Sequence, residues 1–255
     1  MEGTNNPLLL MTNLRLIPSD NSKVKFRPNH KNTFGLNFGL VENGGTCPGA
    51  TLGKGGCLDT RDGKKRPTCY MAKITQIYKA VGKILQSNTD MLKGKTVEEM
   101  ADIFKNTFQE FVSHNKPEHW YYRLTYSGDV YCQEMAEALV IACNSYPDVQ
   151  FWMYTRSHSL AHVLVRANNL AVYLSIDPVN HDTGVAVYNE LSPKYNNLGL
   201  AYLGPPTADG MKYVKCPETH GNIANTPKMG ACAKCKLCFT YNDRIKLRHI
   251  SFKQH

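Results

Sequence analysis

Nine cysteines are the residues of this 255-residue chain best able to do chemistry, and their spacing divides them into three groups. Cys216 is followed, after fifteen residues, by Cys232, Cys235 and Cys238 in a stretch rich in Gly, Pro and Asn. Three thiols at three-residue steps, with a fourth from further away, supply the four thiolates that a cubane iron-sulfur cluster requires. A tetrahedral zinc ion accepts the same donors, although it more commonly takes two separated Cys-x-x-Cys knuckles. His220 is a further donor that could replace a cysteine in this group. Cys47, Cys57 and Cys69 are spread over a Gly-rich loop from Val41 to about Thr68, with nine and eleven residues between successive cysteines. Three thiolates without a fourth would leave one iron of a [4Fe-4S] cluster open to a small molecule. Zinc completed by Asp59 or Asp62, and free thiols, are the competing accounts. Cys132 and Cys143 share the apolar stripe of an expected helix and read as small buried hydrophobes.

The odd cysteine count, in a chain with no recognisable export signal, argues against a disulfide framework, because cytosolic thiols are kept reduced. The first apolar run, Leu8 to Met11, is far short of the roughly 18 residues that span a bilayer. A cytoplasmic protein is therefore expected, with no membrane partner. Thirty Lys and Arg against twenty-one Asp and Glu give a net charge of +9, with 42% apolar and 20% charged residues, the balance of a folded basic protein rather than a disordered one. Nucleic acid is only weakly indicated as a partner, since the charge is diluted along the chain without an Arg stripe. The sequence has no G-x-x-x-x-G-K-[ST] loop, no G-x-S-x-G elbow and no H-E-x-x-H helix, which sets aside nucleotide-kinase and hydrolase chemistry.

The elements that must position the thiols follow from periodicity. Thr33 to Leu40 alternates as a first strand ahead of the cysteine loop. Met71 to Leu85 carries one helical apolar face, and Val97 to Val112 carries a second that opens on a Thr96-x-x-Glu99 capping box. Trp120 to Tyr126 reads as a strand, Cys132 to Cys143 as a helix, Val149 to Thr155 as a strand, Leu160 to Arg166 as a short helix and Leu170 to Ser175 as a strand. Val185 to Tyr188, Leu198 to Leu203 and Arg244 to Phe252 look extended. Nearly continuous apolar strands alternating with helices imply a parallel sheet covered on both faces. The expected fold is α/β: a complete or partial β/α (TIM-like) barrel over residues 1–205, with a Cys-rich C-terminal extension, residues 206–255, packed on the same domain. In such folds the chemistry lies at the carboxyl ends of the strands. Asp129, Arg156 with Ser157, and Asp177 before Pro178 fall at that rim. Each also has a plainer use, Asp129 as an N-cap, Arg156 in a salt bridge and Asp177 in a turn. Tyr121, Tyr122 and Tyr126 read as sheet packing.

Taken together, Thr46-Cys47-Pro48-Gly49-Ala50-Thr51, Cys57, Cys69-Tyr70-Met71-Ala72, Tyr126-Ser127-Gly128-Asp129, Tyr154-Thr155-Arg156-Ser157 and Cys216-Pro217 with Cys232, Cys235 and Cys238 resemble the bacteriophage family called gene product 88, over about residues 33 to 255. The resemblance implies an iron-sulfur protein of phage origin, working in the host cytoplasm and related to radical S-adenosylmethionine barrels. It implies that Cys47, Cys57 and Cys69 hold a cluster whose open iron chelates S-adenosylmethionine. It further implies that Ser127, Gly128 and Asp129 contact the methionine amine, and that Cys216, Cys232, Cys235 and Cys238 hold an auxiliary cluster. The spacing C-x9-C-x11-C departs from the compact C-x-x-x-C-x-x-C of those enzymes. Three functions stay open: a radical-type enzyme acting on a small-molecule substrate, with Asp129, Arg156 and Asp177 as catalytic candidates; electron transfer or redox sensing with a redox partner; and a zinc-stabilised binding module.

Overall fold

Strands β1 (Thr33–Gly35), β2 (Tyr121–Ser127), β3 (Gln150–Thr155), β4 (Leu170–Ile176) and β5 (Leu198–Leu203) lie side by side in chain order. β6 (Tyr213–Lys215) and β7 (His249–Phe252) complete a seven-stranded sheet in the order β1-β2-β3-β4-β5-β7-β6, with every pairing parallel. The computed structural model describes residues 13–19, 21–58, 69–204, 210–242 and 244–253. Asp59, Asp62, the run Leu8 to Met11 and the expected boundary at 205 and 206 lie outside the described residues.

Sequential parallel strands need a crossover for each pair, and right-handed crossovers that always step the same way put their helices on one face. α1 (Tyr70–Ile77), α2 (Lys79–Leu92) and α3 (Val97–Ser113) connect β1 to β2. α4 (Gln133–Asn144), α5 (Ala161–Leu164) and α6 (His181–Leu191) follow the next three strands. Strand side chains divide accordingly. Phe151, Met153, Val172, Leu174, Leu200 and Tyr202 join Phe104, Phe108 and Leu139 in the helical core, while the intervening Trp152, Ala171, Tyr173 and Ala201 face the other way. There they meet Val24 and Phe26 from the N-terminal segment and Ala233, Phe239, Leu247 and Ile250 from the C-terminal one. Among the described residues the helical face buries thirty-six apolar side chains and the opposite face only ten. At ~1.5–3 kcal/mol for each large side chain buried, the second layer is the weaker of the two.

The sequence reading needs correction in several places. The sheet supports the α/β class, but its order is linear and no pairing joins β1 to β6 among the described residues, so a complete barrel is not shown. Val185 to Tyr188, read as extended, lies in α6: β-branched Val185 and Val187 favour a strand locally, but a parallel β4–β5 pair requires a helical return between them. The helix expected over Met71 to Leu85 breaks at Tyr78, which has φ −112° and ψ 87°. Three-residue β6 was not anticipated. Among the described residues, no helix is long and apolar enough to cross a membrane.

Candidate cysteine sites

The C-terminal cysteines are gathered by the thinner layer. The amide of Cys216 donates to Ser251 O at 2.8 Å, which carries the β6–β7 pairing one residue further. Gly230 lies against the N-terminal segment so closely that a Cβ there would sit 2.3 Å from Lys23 O, and the amide of Cys232 donates to that same carbonyl at 2.9 Å. α7 (Ala231–Cys235) then ends at Lys236, a non-glycine residue in the left-handed region at φ 57°. That turn redirects the chain into the short 3-10 turn Leu237–Phe239, and the Lys236 ammonium sits 4.8 Å above the Tyr121 ring. Cys216, Cys232, Cys235 and Cys238, with Phe239 and Ile250, line one cavity of about 20 Å³.

The electrostatics of this pocket are those of crowded thiols in a dry place. Burial pushes the Cys232 thiol up to about 11, helped by Cys216 and Glu218, while Arg123 and Lys23 pull it down. Burial raises Cys238 further, with Cys232, Cys216 and Cys235 adding to the effect and a hydrogen bond with the Tyr154 hydroxyl opposing it. Arg123 lies 5.2 Å from the centre of the Tyr154 ring. Tyr173 is fully buried, feels the charge of Cys238 and Cys235, and its hydroxyl has no hydrogen-bond partner. His220 is exposed, with Nδ1 3.0 Å from Cys216 O.

Cys47, Cys57 and Cys69 come from the loop after β1, at the carboxyl rim of the sheet. The loop is tied to that rim by its motif residues. Thr46 Oγ1 donates to Asn37 O at 2.6 Å, and the amide of Asp129 donates to Thr46 O at 3.2 Å. Gly128 turns there at φ +70°, where a Cβ would meet Thr46 Oγ1 at 2.3 Å, and a Cβ on Gly49 would meet Arg156 O at 2.0 Å. Thr51 Oγ1 donates to Asp177 Oδ2 (2.8 Å) and accepts from the Cys57 amide (2.9 Å) and Arg156 Nη1 (3.2 Å). The amide of Cys69 donates to Cys57 O at 2.8 Å, and Cys69 is the N-cap of α1. Burial, then Asp129, Cys69 and Cys57, lift the Cys47 thiol to about 12 against a backbone hydrogen bond with Gly39. Burial also raises Cys69, against the first-turn amides of Met71 and Ala72 and the charge of Arg156. The three thiols therefore lie within electrostatic reach of one another.

The carboxylates and hydroxyls expected to act at this rim are already engaged in holding it together. Asp129 is buried and is not an N-cap; the residue preceding α4 is Cys132. Asp129 Oδ1 accepts from Thr155 Oγ1 and the Val130 amide, and Oδ2 from the Arg156 amide at 2.7 Å. Burial raises its pKa, opposed by those donors. Ser127 Oγ donates to Leu36 O at 2.9 Å. Asp177 combines the salt bridge and the turn, accepting Arg156 Nη1 at 2.6 Å and the amides of Val179 and Asn180. Beside the rim lies a cavity of about 440 Å³ lined by Thr51, Cys132, Arg156, His158 and Asn180. Cys143 is buried in the helical core, whereas Cys132 is half-buried in extended conformation just before α4. Its place in the apolar stripe hid the end of the helix.

Tyr173, Arg123 and Lys23 were not singled out by the sequence, and Tyr154 entered only as part of the Tyr154-Thr155-Arg156-Ser157 motif. Only the strand alternation that puts Tyr173 on the face opposite Val172 could have pointed to one of them. Among the described residues, no three His, Cys, Asp or Glu side chains converge as the ligands of one metal ion do.

Comparison with known proteins fits the phage character of the motifs. The chain is 31% identical over 179 residues to the Gene 88 protein of Mycobacterium phage L5, covering 67% of this chain and 72% of that one. It is 29% identical over 181 residues to the Gene 88 protein of Mycobacterium phage D29, with the same coverage. No solved structure matches the chain. The family described as Gene product 88 matches residues 7–241, taking in the rim cysteines and all four C-terminal ones, and the chain belongs to that family.

Proposed function

We propose that this chain is an iron-sulfur protein in which Cys216, Cys232, Cys235 and Cys238 hold a [4Fe-4S] cluster and Cys47, Cys57 and Cys69 hold a second, with one iron left for a small molecule. The observation that carries the reading is that all four thiols line one small cavity between the sheet and its thinner covering layer. Three thiols at three-residue steps with a fourth from further away match the donor set of a polynuclear group, in which each iron takes its own thiolate, whereas zinc more commonly takes two separated Cys-x-x-Cys knuckles. The thiols of Cys47, Cys69, Cys232 and Cys238, which burial raises, also fit, since a bound metal displaces their protons and compensates the thiolate charge.

Such a group, when bound, supplies one-electron chemistry. The chain's own residues do the rest. Arg123 and Lys23 offset negative charge beside Cys232, and Tyr154 hydrogen-bonds to Cys238. At the rim, Thr51, Arg156 and Asp177 fix the loop that carries Cys57, next to a cavity large enough for a small molecule. S-adenosylmethionine is the first molecule to test there. Ser127 and Asp129 direct their side-chain oxygens to internal partners, so they act as positioning residues.

Anaerobic purification with iron, sulfide and zinc assays tests the reading. A brown protein whose iron falls by about half in each of Cys232→Ser and Cys47→Ser supports two clusters, and a colourless zinc protein overturns it in favour of a binding module. Release of 5′-deoxyadenosine on dithionite reduction, absent in Cys47→Ser, identifies S-adenosylmethionine cleavage. Reversible reduction without product identifies electron transfer.

A further inference from the structure

The fully buried Tyr173 has a hydroxyl without a hydrogen-bond partner, and it stands where it feels the charge of two C-terminal cysteines, Cys238 and Cys235. An unmade hydrogen bond on a buried hydroxyl costs ~1–3 kcal/mol, and what sets Tyr173 apart from other buried orphans is that a group held by those cysteines would lie within its reach. Among the described residues no side chain satisfies that hydroxyl. The neighbouring ring, Tyr154, lies 5.3 Å away between centroids and engages Cys238. Both tyrosines thus lie on the sheet face that the C-terminal cysteines cover, Tyr154 beside Cys238 and Cys232 and Tyr173 beside Cys238 and Cys235.

We infer that Tyr173 is a tuning residue whose hydroxyl donates a hydrogen bond to the iron-sulfur group held by Cys216, Cys232, Cys235 and Cys238, raising that group's reduction potential. This rests on the proposed iron-sulfur reading. Hydrogen bonds to cluster sulfurs stabilise the more negative, reduced state. Arg123 acts in the same direction from beside Cys232, whereas Lys23 is ion-paired with Glu218.

The built-in control is Tyr122, which is equally buried and equally unpartnered but faces the helical core instead of the thiols. The experiment is an anaerobic redox titration of the full-length protein, followed by electron paramagnetic resonance, comparing wild type, Tyr173→Phe and Tyr122→Phe. Tyr173→Phe should retain its iron and sulfide while its midpoint shifts to more negative potential, and should lose one exchangeable-deuteron coupling to the reduced cluster. Tyr122→Phe should match wild type. Full cluster content with an unmoved midpoint in Tyr173→Phe overturns the inference and leaves the iron-sulfur reading standing. Wild-type protein that takes up no iron and sulfide overturns both.

Discussion

Arg156 and Asp177 show how a rim residue suggestive of catalysis can be structural. Asp177 is fully buried, and Arg156 Nη1 at 2.6 Å is its cation. Arg156→Ala strands that carboxylate beside Thr51 and two amides, and should lower stability by about 3 kcal/mol in urea denaturation. Arg156→Lys should recover only part of this, because an ammonium does not reproduce the geometry of a guanidinium. His30 gives a pH signature. Burial, with Arg27 and His119, pushes its pKa down to about 4 from 6.5. The unfolded chain then takes up a proton near 6.5 that the folded protein refuses until about 4. Stability should therefore fall as the pH drops through that window and level off below it, and the His30→Gln variant should show a shallower fall in the same urea series. At this scale the cysteines were legible because sulfur spacing is a local property. Roles that depend on which strand face a residue occupies, as for Tyr173, or on a partner more than a hundred residues away, as for Thr51 and Asp177, were not.

Helices and strands were legible wherever local pattern and tertiary demand agreed. The Thr96 and Glu99 capping box is formed in both directions at the start of α3. Thr96→Ala should cost about 1 kcal/mol, measurable as a lowered thermal midpoint. α6 is the opposite case, a valine-containing segment made helical by the strands it joins. Its contact with the sheet runs through Gly184, where a Cβ would meet Ile176 Cγ2 at 2.3 Å and His158 Cε1 at 2.9 Å. Gly184→Ala improves intrinsic helix propensity by ~1 kcal/mol, yet should destabilise the protein by ~1–3 kcal/mol because neither neighbour has room. A stabilised variant in chemical denaturation would refute the tight packing of α6 on β4.

In the molecule as a whole, winding in one direction fills one face of the sheet with helices and leaves the other to segments drawn from both ends of the chain. The sequence announced the parallel sheet but not which face the cysteines would cover, since that follows from strand order, and β7 enters out of turn. On the proposed iron-sulfur reading, removing iron and sulfide should lower the thermal midpoint and raise Trp152 fluorescence by relieving quenching, because Trp152 packs on Phe239 with centroids 4.6 Å apart, next to Cys238.

The placement of β7 also sets an order of assembly. β6 has β7 as its sheet partner, and β7 follows β6 in the chain yet lies between β5 and β6. β6 therefore has no place in the sheet until β7 has docked on β5, and the segment that joins the two strands, which carries Cys216, Cys232, Cys235 and Cys238, is drawn onto the sheet by that same closure.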